Sequence, residues 1–323
     1  MYQRFRQYNP QVGWRRHIVV SNFITRLQLL CICLIGISWG VVYGQERTQQ
    51  RVVVSAESEE GEHDQFTEMG EYGQPAWAER SRFSSTTSVY VLSPYEMFVG
   101  NVWEADFRRH SKTVQELTQE IDFGLLHRFE LGVENELGLL GSDAHETSVT
   151  AEARYAFANW NAIPLNPAIS AEYIFGVGKS VDGATSEKDL REQPNAVAIR
   201  LLLGKNFGDH FGYGLNVALQ QDVSRDSGRE FEISQSMAYG AMKGKLEFGA
   251  EMRYLHNTPQ RNPVERDELV IGPTIGWKPT RQLRISLAPL VGCTGDSPRV
   301  ANFVLVSYEF GGAESVVAPI FGH

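Results

Sequence analysis

The chain has 323 residues, a net charge of -9, 21% charged residues and 42% hydrophobic residues. That length holds one large domain or two small ones. The acidic balance, with no Lys/Arg-rich stretch, excludes an electrostatic nucleic-acid binder, and 30 glycines with 13 prolines suit many turns.

Residues 1–44 differ from the rest. Arg4, Arg6, Arg15, Arg16 and Arg26 stand there without an acid, and an uncharged apolar run follows over 27–44. This order predicts a secretory signal peptide with a long basic leader, cleaved before Gln45. An uncleaved anchor is the alternative, since about 18 apolar residues can just span a bilayer. Cys31 and Cys33 have no small residue before them, which argues against lipid attachment. Removing the leader leaves Cys293 without a disulfide partner and makes the remaining chain more acidic still. Residues 45–95 carry no sustained period and include the acidic stretch SAESEEGEHDQ. They are predicted to be a flexible acidic linker, with a plug in the barrel or a periplasmic contact as the exception.

From Met97 to Gly311 one pattern repeats: 10–14 residues of alternating apolar and polar side chains, closed by a turn. In HRFELGVENELGLL, Phe129, Leu131, Val133, Leu137 and Leu139 share one parity, while Arg128, Glu130, Glu134 and Glu136 share the other. A period of two puts the two sets on opposite faces of a strand. The units fall near 97–109, 112–126, 127–140, 147–160, 166–178, 194–206, 211–222, 230–241, 244–256, 267–277, 281–292 and 300–311. Twelve is an even number, as bacterial single-chain barrels have. The prediction is an all-β fold, a transmembrane antiparallel up-and-down barrel over 96–312, followed by a C-terminal tail at 313–323.

The connections support this. Short ones such as LLHR, NFGDH, MKGK and KPTRQ alternate with long ones such as KSVDGATSEKDLREQPN and HNTPQRNPVERD. Outer-membrane barrels have short periplasmic turns and longer external loops. Trp160, Phe207, Phe211, Tyr213, Tyr239, Trp277, Tyr308 and Phe310 gather toward the short turns, and Tyr173, Phe175 and Tyr254 toward the long loops. Two such groups are expected where aromatic rings meet the two membrane interfaces. Pro273 and Pro289, inside adjacent units, predict a bulge, a local seam or a miscounted strand, because proline cannot donate to a ladder.

Alternation alone does not say which face is wet, and a soluble barrel would turn the apolar set inward. Units about twice the usual length of a soluble strand, apparent export and charges of both signs on the polar parity favour the membrane barrel. Its lumen-facing candidates are Glu116, Glu120, Asp122, Arg128, Glu130, Glu134, Glu136, Glu152, Arg154, Glu172, Arg200, Glu247, Glu251, Arg253 and Arg284. A narrow tube so lined favours cations and polar solutes over anions. The same charges could instead pair and fill a small barrel.

No G-x-S-x-G elbow, H-E-x-x-H, P-loop or paired cysteine follows the leader, and no histidines have metal-ligand spacing. No enzyme, metal or cofactor is expected. A lipid-active enzyme would require an outward Ser–His pair on neighbouring strands.

The segments LSPYEMFVGNVWEADF, LTQEIDFGLLHRFELGVENELG, TAEARYAFANWNAIPLNPAISAEYIFGVG, VIGPTIGWKPTRQLRISLAPLVG and VLVSYEFGG resemble the bacterial outer-membrane channel family named for the MetA pathway of phenol degradation. The resemblance covers about residues 90–312 and rests on strand-and-turn patterns. It implies an outer-membrane barrel with a transport role and carries over no binding residues. The expected function is therefore a passive channel for small solutes in the bacterial outer membrane, filtered by the long loop near 179–195. Outer-membrane lipid and the barrel-assembly machinery are its expected partners. A closed barrel with a structural or surface-presenting role is the alternative.

Overall fold

The computed structural model describes residues 70–75, 78, 83, 88–109, 112–140, 143–181, 190–208, 210–223, 228–258, 265–280 and 282–311. The predicted signal peptide at 1–44, the predicted linker up to residue 69 and the predicted tail at 313–323 lie outside the described residues. The strands in chain order are β1 (Met97–Phe107), β2 (Val114–Gly124), β3 (Phe129–Leu140), β4 (Asp143–Ala156), β5 (Ala168–Gly176), β6 (Lys179–Ser180) and β7 (Arg191–Glu192). They continue as β8 (Ala196–Phe207), β9 (Phe211–Asp222), β10 (Arg229–Ala241), β11 (Leu246–Thr258), β12 (Arg266–Trp277), β13 (Leu283–Gly292) and β14 (Val300–Phe310). Twelve of them form a closed antiparallel barrel in which β14 pairs back onto β1. The short β6 and β7 pair only with each other, in the long loop between β5 and β8. The middle of that loop, 182–189, lies outside the described residues.

Each unit predicted from the alternation is present as a barrel strand. β4 starts earlier than expected, at Asp143, and a bulge between Glu136 and Leu137 takes up the irregularity in its pairing with β3. Following the register once around, with the bulge left out, returns to β1 displaced by about 14 residues. Twelve strands with that stagger tilt by roughly 40° and set a backbone radius of about 12 Å. A tilted strand of this length rises roughly 28 Å, which matches an apolar band about 25 Å tall.

The barrel is inside-out relative to a soluble one. Leu131 is 50% exposed and Ile199 57%, whereas Glu130 is 1% and Arg284 2% exposed. Burial of apolar area drives soluble folding, so an exterior carrying Val133, Leu201, Leu219, Ile271, Leu287 and Val291 fits contact with acyl chains and not with water. At the short-turn end the outward rings touch one another. Phe129 lies 4.6 Å from Tyr155, Phe211 5.1 Å from Tyr239, and Tyr308 4.6 Å from Phe310. Tyr173 and Phe175 form a similar pair, 4.6 Å apart, toward the long-loop end. Trp160 departs from the expected belt. It is buried and packs edge-on against Tyr90 at 5.2 Å.

The two prolines mark a seam. Register between β12 and β13 holds at Val270–Gly292 and Ile271–Val291, and again from Ile275–Leu287 onward, with no pairing between. Pro273 and Pro289 fall opposite each other in this gap. The Cys293 N–H donates to the Leu269 carbonyl at 2.8 Å, so the alternation of the ladder makes the proline position one where two N–H···O bonds would be exchanged. Neither residue has the N–H.

Candidate functional site

Register and burial place Glu116, Glu120, Asp122, Glu130, Glu134, Glu136, Glu152, Arg154, Glu172, Arg200, Glu247, Glu251, Arg253 and Arg284 on the inward face. Arg128 does not join them. The connection between β2 and β3 is so tight that His127 and Arg128 both take left-handed backbone (φ 61° and 65°), and Arg128 belongs to the turn. Its guanidinium donates to the Ala156 carbonyl and to Asn159 Oδ1, both at 3.1 Å. Glu104 and Asp106 on β1, Glu230 and Glu232 on β10, and Glu268 on β12 share the inward face and were not among the candidates. Their parity was readable: in VWEADF the two acids stand two residues apart, opposite in phase to Trp103 and Ala105.

The inward charges divide into two groups. In the first, arginines pair with acids on their own, neighbouring or facing strands. Arg154 reaches Glu130 at 2.6 Å and both oxygens of Glu152 at 3.0 and 3.2 Å, and Glu152 also accepts from the Ser170 hydroxyl at 2.5 Å. Arg200 links Glu172 at 3.5 Å to Glu232 at 3.1 Å. Arg284 donates to Glu247 at 2.9 Å and to the Ser286 hydroxyl at 3.0 Å. Arg253 meets Glu104 across the lumen at 2.5 and 3.1 Å. In the second group, Glu120, Asp122 and Glu134 form no ion pair among the described residues, and Asp122 Oδ1 and Asp106 Oδ1 are buried without a hydrogen-bond partner. Glu120, Asp122 and Glu152 have carboxylate oxygens within 4.8 Å of one another. That spacing could hold a cation, but Arg154 already supplies countercharge there.

The N-terminal residues that precede β1 enter the short-turn half of the lumen. Phe83, Val89, Tyr90, Val91 and Leu92 are all buried, and the first four pack with the inward Ala156, Ala168, Leu202 and Ala238 and with Trp160. Polar bonds hold the backbone of this segment to the wall. The Leu92 N–H donates to Glu130 at 2.6 Å, and Asn216 brackets Ser88 with bonds of 2.9 and 2.7 Å. Arg154 donates to the Tyr90 carbonyl at 3.5 Å. The Tyr90 hydroxyl donates to the Ala158 carbonyl, and burial pushes its phenol up to about 12. Glycine makes the close approach possible: a Cβ on Gly204 would overlap Val89, and one on Gly124 would overlap the Ser93 carbonyl. The linker expected over 45–95 is thus, in its described part, a packed segment. Alternation could not reveal this, because the segment has no period of its own.

Above the segment the lumen opens toward the long loops. A cavity of about 670 Å³ is lined by Glu104, Asp106, Glu134, Glu136, Glu232 and Arg253, among others. It shares Glu104, Glu116, Glu134 and Glu172 with a deeper cavity of about 170 Å³ whose floor includes Phe83 and Ser88. The result is an acidic funnel that narrows onto the N-terminal segment. On the exterior, the cross-strand neighbours of His256 are Phe231 and Asp267, so it makes no Ser–His pair there.

Solved outer-membrane barrels are among the structures to which this chain is similar. The COG4313 outer membrane channel from Pseudomonas putida F1 aligns with a TM-score of 0.49 at 10% identity, over 68% of this chain and 97% of that one. The KdgM porin aligns at 0.45 and 12% identity, over 66% and 99%, and the NanC porin at 0.42 and 11%, over 67% and 99%. No family model and no curated protein matches the chain, so the resemblance to the phenol-degradation family has no match behind it.

Proposed function

We propose that the chain is a bacterial outer-membrane barrel that passes small polar solutes, cations ahead of anions, and that its N-terminal segment closes the short-turn half. The observation that carries this reading is the set of inward carboxylates that form no ion pair among the described residues, Glu120, Asp122 and Glu134, inside an apolar exterior. Closed, water-poor cavities strengthen such fields, which concentrate cations and repel anions. The signal peptide at 1–44, delivery by the barrel-assembly machinery and filtering by the long loop near 179–195 belong to this proposal.

The buried Phe83, Val89, Tyr90, Val91 and Leu92 favour a second reading, a closed barrel that presents its loops and conducts nothing. Conductance in planar bilayers under a salt gradient separates the two. The wild-type chain and Gly204→Leu, whose side chain would displace Val89, are compared after each is shown to be folded by heat-modifiable gel mobility. The channel reading expects cation-selective steps that are larger or more frequent in Gly204→Leu. Silence from both folded proteins would sink it and leave the closed barrel.

A further inference from the structure

Among the described residues, the middle of the exterior carries a polar row on β1–β3. Asn101 on β1, Gln119 on β2 and Asn135 on β3 are direct cross-strand neighbours, Asn101 opposite Gln119 and Gln119 opposite Asn135. All three belong to the outward parity and sit near the middle of their strands. The Gln119 amide donates to Asn101 at 3.4 Å, a long bond, and Asn135 Oδ1, shielded by its neighbours in the single copy, has no hydrogen-bond partner among the described residues. Beside the row, the Trp103 indole donates to the outward Gln115 at 3.1 Å. Elsewhere at this depth the wall is apolar, as at Leu201, Val217, Met252 and Ile271, and Gln235 on β10 stands alone between Leu215 and Met252. Acyl chains offer carboxamides neither donor nor acceptor, so a continuous row of them facing lipid is a standing cost.

We infer that the β1–β3 exterior is a self-association surface, on which the carboxamide row of one copy hydrogen-bonds with the same row of a second copy. The inference rests on the reading of the barrel as membrane-embedded. The occupant follows from the chemistry. A carboxamide carries both donor and acceptor, so a row of them is complementary to itself under a two-fold rotation, the commonest symmetry of homo-oligomers. Amide side chains act as glue between membrane-embedded helices, where the surroundings offer no competing water. A charged partner surface would bring unpaired charge into the same apolar layer, at a greater cost than the amides already present.

The test uses the full chain in phospholipid vesicles, carrying Cys31→Ser, Cys33→Ser and Cys293→Ser and either Gln119→Cys or, on the far side of the barrel, Leu219→Cys. A short bifunctional thiol reagent is expected to convert most of the Gln119→Cys protein to a dimer and little of the Leu219→Cys protein. Without cysteine replacement, light scattering in mild detergent is expected to give the mass of two chains, falling to one in the Asn101→Leu/Gln119→Leu/Asn135→Leu variant that retains heat-modifiable mobility. Vesicle-inserted protein that crosslinks equally at both sites, or that has the mass of one chain before substitution, overturns the inference and leaves the membrane reading intact. Protein that stays in the aqueous fraction overturns both.

Discussion

Replacing Arg154 with alanine tests how the short-turn half of the lumen is held. Arg154 bridges Glu130 on β3 and Glu152 on its own strand, with side chains 8%, 1% and 4% exposed, and it also donates to the Tyr90 carbonyl of the N-terminal segment. Removing the cation leaves two buried carboxylates without countercharge. Breaking a buried pair in this way costs about 3–5 kcal/mol, and the adjoining cavity lets some water relieve the charge, so the lower end, about 3 kcal/mol, is expected. The charge-free combination Arg154→Met, Glu130→Leu and Glu152→Leu removes the penalty with the pair. It should come within about 1–2 kcal/mol of wild type, the remaining deficit reflecting the lost bond from the Leu92 N–H. Urea unfolding from vesicles, followed by tryptophan fluorescence, reads both values, because Trp160 packs edge-on against Tyr90. An Arg154→Ala variant within about 1 kcal/mol of wild type would refute the reasoning. So would a charge-free triple variant as unstable as the single one.

Three further outcomes follow from the same geometry. The pair Pro273→Val and Pro289→Val restores two N–H donors at the gap between β12 and β13; at about 1 kcal/mol per ladder bond, the same urea titration should show a gain of about 1–2 kcal/mol. Neutralising the unpaired carboxylates with Glu120→Gln and Glu134→Gln should move the reversal potential under a potassium chloride gradient toward zero while the folded mobility is kept. Asn216→Leu removes both bonds to Ser88, and should speed proteolysis within 70–93 severalfold while the vesicle-embedded strands stay protected.

The barrel was legible because a two-residue period is hard to mistake when the two faces meet different surroundings. Leu131, Val133 and Glu130, Glu134 lie on opposite faces of β3 as their parity requires. The facing prolines carried the seam. The reading weakened where a residue leaves the strand. Arg128 has the parity of Glu130, but a tight turn bends the chain into left-handed backbone before that parity applies. Trp160 has the composition of a belt residue, but the connection after β4 folds inward, and its ring covers Tyr90 instead of meeting lipid. Both errors arise at short-turn ends, where local backbone geometry overrides the alternation.

The N-terminal segment changes what the inward residues do, and no local pattern could have announced it. Its partners are distant in sequence: Leu92 is held by Glu130, and Ser88 by Asn216. Residues that look equivalent by parity therefore have different work. Glu130 spends its carboxylate on a backbone N–H and on Arg154, so it is a mounting for the segment. Glu134, two inward positions further along β3, faces both cavities with no ion pair among the described residues. Under the channel reading, closure belongs to Glu130, Arg154 and Asn216, and ion preference belongs to Glu120 and Glu134. The two properties should then separate. Substituting Glu134 shifts selectivity in whatever fraction of time the lumen is open, and substituting Asn216 changes that fraction without shifting selectivity. A variant set in which the two always move together would mean that the segment itself forms the selective constriction.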